Sequence, residues 1–496
     1  MSNMIKAFSI LTIFSIIGKL LGFTREALIA AYFGTTGTAD AFFVASIIPI
    51  VLFTAIGTSI QAGIIPIYMK DKNRSLQMAN EKLHVLGSFF IWIGIGLSMV
   101  TFLFAELTIQ ILAPGFTPEQ TEQAMVLTRI LAPSLLLLTI NGISTGLLHA
   151  NKQFVIPALS PVVQNSVIIL AIIFLTTVYG IVGVAVGVLV GTIIQTFVQY
   201  PALHKTGFKF TFRMSKNSKL IKTTLALFIP VILAAIVMQL NDVVDRIVTS
   251  YLETGSVAAI NYANRLLWLP LSIMLMPIVT IFYPTLVEKA TDNMEVFLKM
   301  MRKGVFLVFI FAIPFECVML TQGENLVEMA YGRGIFDTRA LQLTSQAFFF
   351  FTIALPFFAL RDFFLNALYA VHKFRVALYS CLIGLCVNTV LSIYLASFMD
   401  IAGVALATSI SMVVTVSFML LKIRSVYSIS IRHGAILFGK LLSIFVVIMV
   451  VIRLLDPVLQ HTNIWNEVVY TTLVVFVLYA ILLFVWKVPV WKKLKS

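Results

Sequence analysis

Long apolar runs, broken by short polar turns, fill this chain from end to end. Fourteen can be read, at residues 7–33, 38–69, 83–106, 124–150, 156–178, 181–203, 220–250, 255–287, 299–321, 341–370, 375–396, 400–423, 434–454 and 465–486. A helix of about 20 apolar residues crosses a bilayer and satisfies its own backbone hydrogen bonds there. The pattern therefore predicts an all-α polytopic membrane protein of about fourteen transmembrane helices, with no large separately folding soluble domain.

The pattern also repeats. Residues 25–49 read REALIAAYFGTTGTADAFFVASIIP and residues 246–270 read RIVTSYLETGSVAAINYANRLLWLP. At an offset of 221, Arg25 meets Arg246, Gly34 meets Gly255 and Pro49 meets Pro270. Further on, IVGVA at 181–185 meets IAGVA at 401–405, an offset of 220. A six-helix unit written twice in parallel is the mark of a transporter with two lobes around a central site. The expected organisation is an N-terminal lobe at 1–203, a basic cytoplasmic linker at 204–222, a C-terminal lobe at 223–424 and two extra helices at 425–496.

Composition agrees: 60% of residues are hydrophobic and 11% charged, against about a quarter charged in soluble domains. The net charge of +14 reflects topology rather than nucleic acid. Of 35 Lys and Arg, counting those towards span ends with the adjoining loop, 26 belong to the N-terminus, the even-numbered loops and the C-terminus, and three (Arg333, Arg339, Arg453) to the other side. That bias places both termini on the cytoplasmic side. It also makes 204–222 a topology anchor and linker before a specific lipid-headgroup site. The first apolar run continues through Lys19 and Arg25 without a small-residue cleavage site, so no signal peptide is expected. Cys317, Cys381 and Cys386 all sit in spans and read as small core hydrophobes. There is no P-loop, HExxH, nucleophile elbow or zinc pattern. An enzyme, a cofactor and a metal centre are not expected. Energy would come from an ion gradient such as Na⁺, the membrane potential or the substrate gradient.

Six cations (Lys19, Arg25, Arg129, Arg246, Arg265, Arg361) and six carboxylates (Glu26, Asp40, Asp242, Asp245, Glu316, Asp362) lie within spans. Each costs about 2.5–3.5 kcal/mol to insert, so each should face a partner or a wet cavity. Asp242 and Arg246, spaced i, i+4, share a helix face and read as an intrahelical pair. Arg25–Glu26 and Arg361–Asp362 are adjacent, so their side chains are expected to diverge without pairing. Arg25 shares its face with Gly18 and Gly22, which admits a close helix neighbour or a ligand; an arginine there favours a cavity. Lys19 and Arg265 fall near the midplane at about 1.5 Å of rise per residue, with Arg25 in the outer half. Lys19, Arg25, Arg265 and Arg361 are thus candidate contacts to a polyanionic substrate, for which arginine's planar fork suits phosphate. Glu26, Asp40, Arg129, Asp242 and Arg246 are candidate charge partners or gates, Asp40 being the natural partner for a base on span 1. Pro49 and Pro66 in span 2, loosened by Gly57 and Gly63, answer Pro270, Pro277 and Pro284 in span 8, where kinks would carry an access change. Asp242 or Asp245 with Asn388, Ser392 and Thr408 offers oxygen ligands for Na⁺, against the commoner use of such residues in interhelix hydrogen bonds.

Three segments carry a resemblance. LLGFTREALIAAYFGTTGTADAFFVASIIP at 20–49 resembles the first hairpin of the MurJ/MviN family, the lipid II flippases of the multidrug/oligosaccharidyl-lipid/polysaccharide exporter superfamily. NYANRLLWLP at 261–270 is similar to the family's span 8 motif and LAPGF at 112–116 to its extracellular turn. The fourteen-span plan matches along the whole chain, while these motifs cover about a fifth of it. The resemblance implies a V-shaped pair of lobes around a cationic cavity. Through it a lipid-linked disaccharide-peptide pyrophosphate would pass from inner to outer leaflet by alternating access. It implies functional roles for Arg25, Asp40 and Arg265, and for Lys19 where the family usually has arginine. Spans 13 and 14 would form a groove for the polyprenyl tail. Two departures stand out. The family's basic pair after the span 2 proline is replaced by Val51, Leu52 and Phe53, and its Ala-Glu-Gly reads Ala55, Ile56, Gly57.

The expected function is a flippase for lipid II. A flippase for another polyprenyl-linked glycan (capsule, teichuronic acid or exopolysaccharide) is the alternative. A cation-coupled drug exporter predicts twelve spans and a carboxylate-rich cavity. A non-transporting scaffold for the cell-wall synthesis machinery has no need of Lys19, Arg25 and Arg265 in the bilayer.

Overall fold

The computed structural model describes residues 2–52, 68–69, 72, 75–208, 236–237, 239–427, 432–459 and 463–488. Among them every regular element is helical. Eight helices are long and apolar enough to cross a membrane, or up to ten if each of two bent pairs is one span. About half of each of expected spans 2 and 7 falls outside the described residues, as do Phe53, Ala55, Ile56, Gly57, Gly63, Pro66 and most of the basic linker.

Packing divides the chain into two units, Met1–Ala258 and Ala259–Ser496. The division falls inside a helix, later in the chain than the linker at 204–222. In the first unit the helices are α1 (Ser2–Phe33), α2 (Gly37–Ala45), α3 (Ile47–Leu52), α4 (Leu76–Leu103), α5 (Ala105–Leu112), α6 (Pro118–Leu131), α7 (Ser134–Ala150), α8 (Val155–Tyr179) and α9 (Ile181–His204). Helix α10 (Ser256–Pro270) begins in this unit. The second unit continues with α11 (Met276–Asp292), α12 (Met294–Thr321), α13 (Gly323–Tyr331), α14 (Thr338–Thr352), α15 (Leu355–Ala370), α16 (Phe374–Tyr427), α17 (Arg432–Leu459) and α18 (Ile464–Val485).

The repeat legible in sequence is a repeat of backbone conformation. Helices α6 and α7 bend by 40° at Pro133, and α14 and α15 bend by 50° just before Pro356. Proline lacks the N–H and its ring crowds the preceding turn, so each half breaks at the same place. The turn after α7 places Lys152 at φ 58°, and the turn after α15 places His372 at φ 55°. The same closing bond follows in each, from Gln153 N–H to the Leu148 carbonyl and from Lys373 N–H to the Leu368 carbonyl, both 2.8 Å. Gly180 links α8 to α9 at φ 55°, ψ −139°, and Asp400 kinks α16 at φ 49°, ψ −130°. Glycine adopts that conformation freely; an L-residue is strained there.

Small residues let the helices close. Gly183, Gly187 and Gly191 face α8 at successive turns of α9, where an added Cβ would crowd Leu175, Ala171 and the Gln164 carbonyl. Without a hydrophobic drive inside lipid, such close backbone approach is what holds helices together. In span 8, Pro270 is followed by a π-helical turn, Leu271–Leu275, before α11 resumes. That is the expected disturbance at Pro270, taken up by a wider turn rather than a sharp kink.

The two extra helices are built onto the second unit. Phe306, Ile310, Ile313 and Cys317 of α12 form one buried cluster with Leu441, Ile444, Ile448 and Ile452 of α17 and Val475 and Tyr479 of α18. The Tyr479 hydroxyl donates to the Ile310 carbonyl at 2.8 Å. Lys440 Nζ donates to the Trp486 carbonyl at 2.8 Å, a cation at the end of α18 where the helix dipole favours it.

Candidate functional site

In the first unit the span 1 charge cluster is assembled by α1 and α8. Arg25 Nη2 pairs with Glu26 Oε1 at 2.7 Å, and Arg25 Nη1 donates to Asn165 Oδ1 at 3.1 Å. The arginine side chain keeps 22% exposure against 5% for Glu26. The expectation that adjacent charges would diverge is overturned here, and again where Arg361 Nε meets Asp362 Oδ1 at 2.9 Å. Successive side chains leave a helix about 100° apart, but the long arginine stem bends back along the surface. A poorly screened, charge-assisted bond rewards that bend. The expected open cavity beside Gly18 and Gly22 is also corrected. A Cβ on Gly18 would lie 3.6 Å from Val162, and one on Gly22 3.7 Å from Asn165 Nδ2, so α8 occupies that face.

Asn165 is not among the residues that the sequence pattern singles out. Its amide donates to the carbonyls of Gly18 (3.3 Å) and Pro161 (3.0 Å), while its oxygen takes Arg25. The one signal available was an amide inside an otherwise apolar span, which ordinary interhelix bonding also explains. Lys19, one helical turn and a half before Arg25, is exposed.

A second cluster lies at the loop ends of the first unit. Asp40 is 2% exposed, and its two carboxylate oxygens accept the backbone N–H groups of Gly255 (2.6 Å) and Ala258 (2.7 Å). These lie at the start of α10, whose orphan N–H groups and positive dipole end attract a carboxylate. The basic partner expected for Asp40 is thus not what these two bonds supply. Gly115 N–H donates to Ser250 Oγ at 3.2 Å. A Cβ on Gly115 would fall against the Ser250 backbone, and one on Gly255, at φ 99°, would collide with the Thr35 carbonyl. The turn before α10 is therefore seated closely against the α1–α2 turn and the 112–116 turn, where glycine leaves room for backbone contact. Thr117 and Gln120 cap α6 reciprocally beside it.

The other candidates fall as follows. In the first unit, Arg129 is half-buried in the last turn of α6, Asp242 is exposed, Asp245 is buried and Arg246 is half-buried. In the second unit Arg265 is exposed, and Arg361 Nη1 also reaches Met412 Sδ at 3.7 Å. Asn388 Nδ2 donates to Thr408 Oγ1 at 2.9 Å. Ser392 is fully buried, and its Oγ has no hydrogen-bond partner among the described residues. No group of three or more His, Cys, Asp or Glu that could hold a metal occurs among the described residues.

Residues 29–478 match the family model described as lipid II flippase MurJ. The chain belongs to the MurJ family. Relatives in that family include a probable lipid II flippase MurJ of Buchnera aphidicola subsp. Acyrthosiphon pisum, 26% identical over 94% of this chain and 92% of its own length. The probable lipid II flippase MurJ of Thermotoga maritima is 25% identical over 84% of each. Among solved structures, a lipid II flippase MurJ in an inward closed conformation superposes with a TM-score of 0.83 at 27% identity, covering 97% of this chain and 98% of that one. An inward-facing multidrug resistance transporter of the MATE family, in the MOP superfamily, gives 0.71 at 15% identity over 83% of this chain and 94% of that one, a likeness of fold. The chain is a multi-pass membrane protein of the MurJ family with the fold of that superfamily.

Proposed function

We propose that this chain carries lipid II, an undecaprenyl-pyrophosphate-linked peptidoglycan precursor, from the inner to the outer leaflet by alternating access. The family match over 29–478 carries the reading. The Arg25 fork supports it: it is fixed on two of its donors by Glu26 and Asn165 and still partly exposed, so further N–H groups remain for a pyrophosphate. The Asp40 cluster supports a closed outer gate. Opening it would release the first turn of α10 from Asp40, and the residues just before it, 250–255, from Gly115 and Thr35. Lys19, Arg265 and Arg361 are the further proposed headgroup contacts.

The lysine and arginine bias argues for cytoplasmic termini in the bacterial plasma membrane. Coupling to Na⁺ or to the membrane potential is part of the proposal, with Asp245, Asn388, Ser392 and Thr408 as the candidate cation ligands. The enzymes that polymerise the flipped precursor are the partners this reading expects. The test is to deplete the resident lipid II flippase of a bacterial host, express this chain and assay lipid II on the outer leaflet. Restored growth with restored surface lipid II is expected. Normal membrane levels without rescue would move the substrate to another polyprenyl-linked glycan.

A further inference from the structure

The Asn165 side chain uses both ends, and they do different work. Its Nδ2 group is held by two fixed backbone carbonyls, Gly18 on α1 and Pro161 on α8, at 3.3 and 3.0 Å. Donors cannot be exchanged for the acceptor at those carbonyls, so the amide has one orientation. Its oxygen must then point at Arg25, which it meets at 3.1 Å. Asn165 is 7% exposed, so this arrangement is desolvated and firm. Gly22 packs beside it: a Cβ there would stand at ordinary contact distance, 3.7 Å, from Nδ2.

The carboxylate of Glu26 alone would leave the guanidinium free to swing about a single bond. A second acceptor on a different helix fixes the plane of the fork. Two contacts from non-parallel directions define where the remaining N–H groups aim, which is what bidentate recognition of a phosphate requires. Asn165 is also neutral, so it directs Arg25 without cancelling more of its charge.

We infer that Asn165 is a positioning residue for the headgroup pyrophosphate: by anchoring its amide on Gly18 and Pro161 it aims the Arg25 guanidinium at the substrate. The inference rests on Arg25 contacting the pyrophosphate. Asn165→Ala lets the fork swing and weakens binding. Asn165→Asp retains an acceptor but adds a second anion beside Arg25 and loses the donors to both carbonyls, so it weakens binding further.

The test is a double-mutant cycle on the full-length chain in detergent, with undecaprenyl pyrophosphate as the probe and thermal unfolding measured in parallel. Arg25→Ala and Asn165→Ala should each weaken binding by about 10- to 100-fold, as loss of a charged hydrogen bond does. Asn165→Ala on top of Arg25→Ala should add less than about 2-fold, because Asn165 acts through Arg25. Full additivity of the two losses overturns the positioning role. So does a lowered unfolding temperature for Asn165→Ala with unchanged binding, which would leave it as α1–α8 packing alone. Unchanged binding in Arg25→Ala would instead sink the headgroup contact itself. A variant that fails to fold is replaced by Asn165→Ser in the same cycle.

Discussion

Asp40 shows what a single residue contributes and what a sequence hides about it. That it lies in a span and needs a polar partner was legible. Its partners were not, because backbone N–H groups carry no letter. Asp40→Asn keeps one acceptor, sets an amide donor against the second backbone N–H and gives up the charge at the α10 N-terminus, which should weaken the proposed gate by about 1–2 kcal/mol. Cysteine accessibility at residues flanking 255 should rise in that variant, with folding unchanged; unaltered accessibility would remove Asp40 from the gate. Asp400 is a second case. It holds a conformation that Gly180 holds in the other half, so Asp400→Gly should stabilise the protein by about 1 kcal/mol. A raised unfolding temperature is the check, and Gly180→Asp should move it the other way. The paired neighbours Arg25–Glu26 and Arg361–Asp362 were missed for a related reason. Helical periodicity gives the direction of Cβ, and a long, flexible stem ends elsewhere.

At the scale of elements more was legible. Long apolar runs became helices, because that follows from local chemistry; of the prolines singled out, Pro270 leads into a π-helical turn and Pro284 stays inside α11, while the bends fall at Pro133 and just before Pro356. Neighbour choice was harder. Gly18 and Gly22 were legible as a small face, but what fills a small face depends on the whole packing, and α8 fills it. The α8–α9 contact makes a sharp test. A Cβ at Gly187 would press on that of Ala171, so Gly187→Leu should force the helices apart and cost about 1–3 kcal/mol or more, read as loss of protein from the membrane. At the 112–116 turn, Gly115→Ala should displace the Ser250 backbone and open the proposed gate, leaving α4–α7 packing intact. A crosslink between cysteines at 35 and 254 that forms readily in the parent and poorly in Gly115→Ala would be the expected sign. Equal crosslinking would place the gate elsewhere.

For the molecule as a whole, the duplication and the appended pair were both visible in the amino-acid sequence. Where packing would divide the chain was not. The linker at 204–222 looks like a boundary by charge, yet packing assigns the chain as far as Ala258 to the first unit, the stretch that Asp40 and Gly115 hold. The appended pair is integral to the second unit. Tyr479→Phe should cost about 1 kcal/mol through the lost bond to Ile310. Removing residues 428–496 would bare the α12 face of Phe306, Ile310 and Ile313 to lipid, and reduced thermal stability of the remaining chain is expected.

The matched turns at 150–154 and 370–374, and at 180 and 400, have a consequence for anyone who would rebuild this protein. The two copies agree in backbone angle there although they differ in residue, Lys152 against His372 and Gly180 against Asp400. They are natural splice points. The single helix between them, α8 in one half and α16 up to Asp400 in the other, could be transplanted with its ends in register, so the asymmetry of each half can be assigned to the helix that carries it.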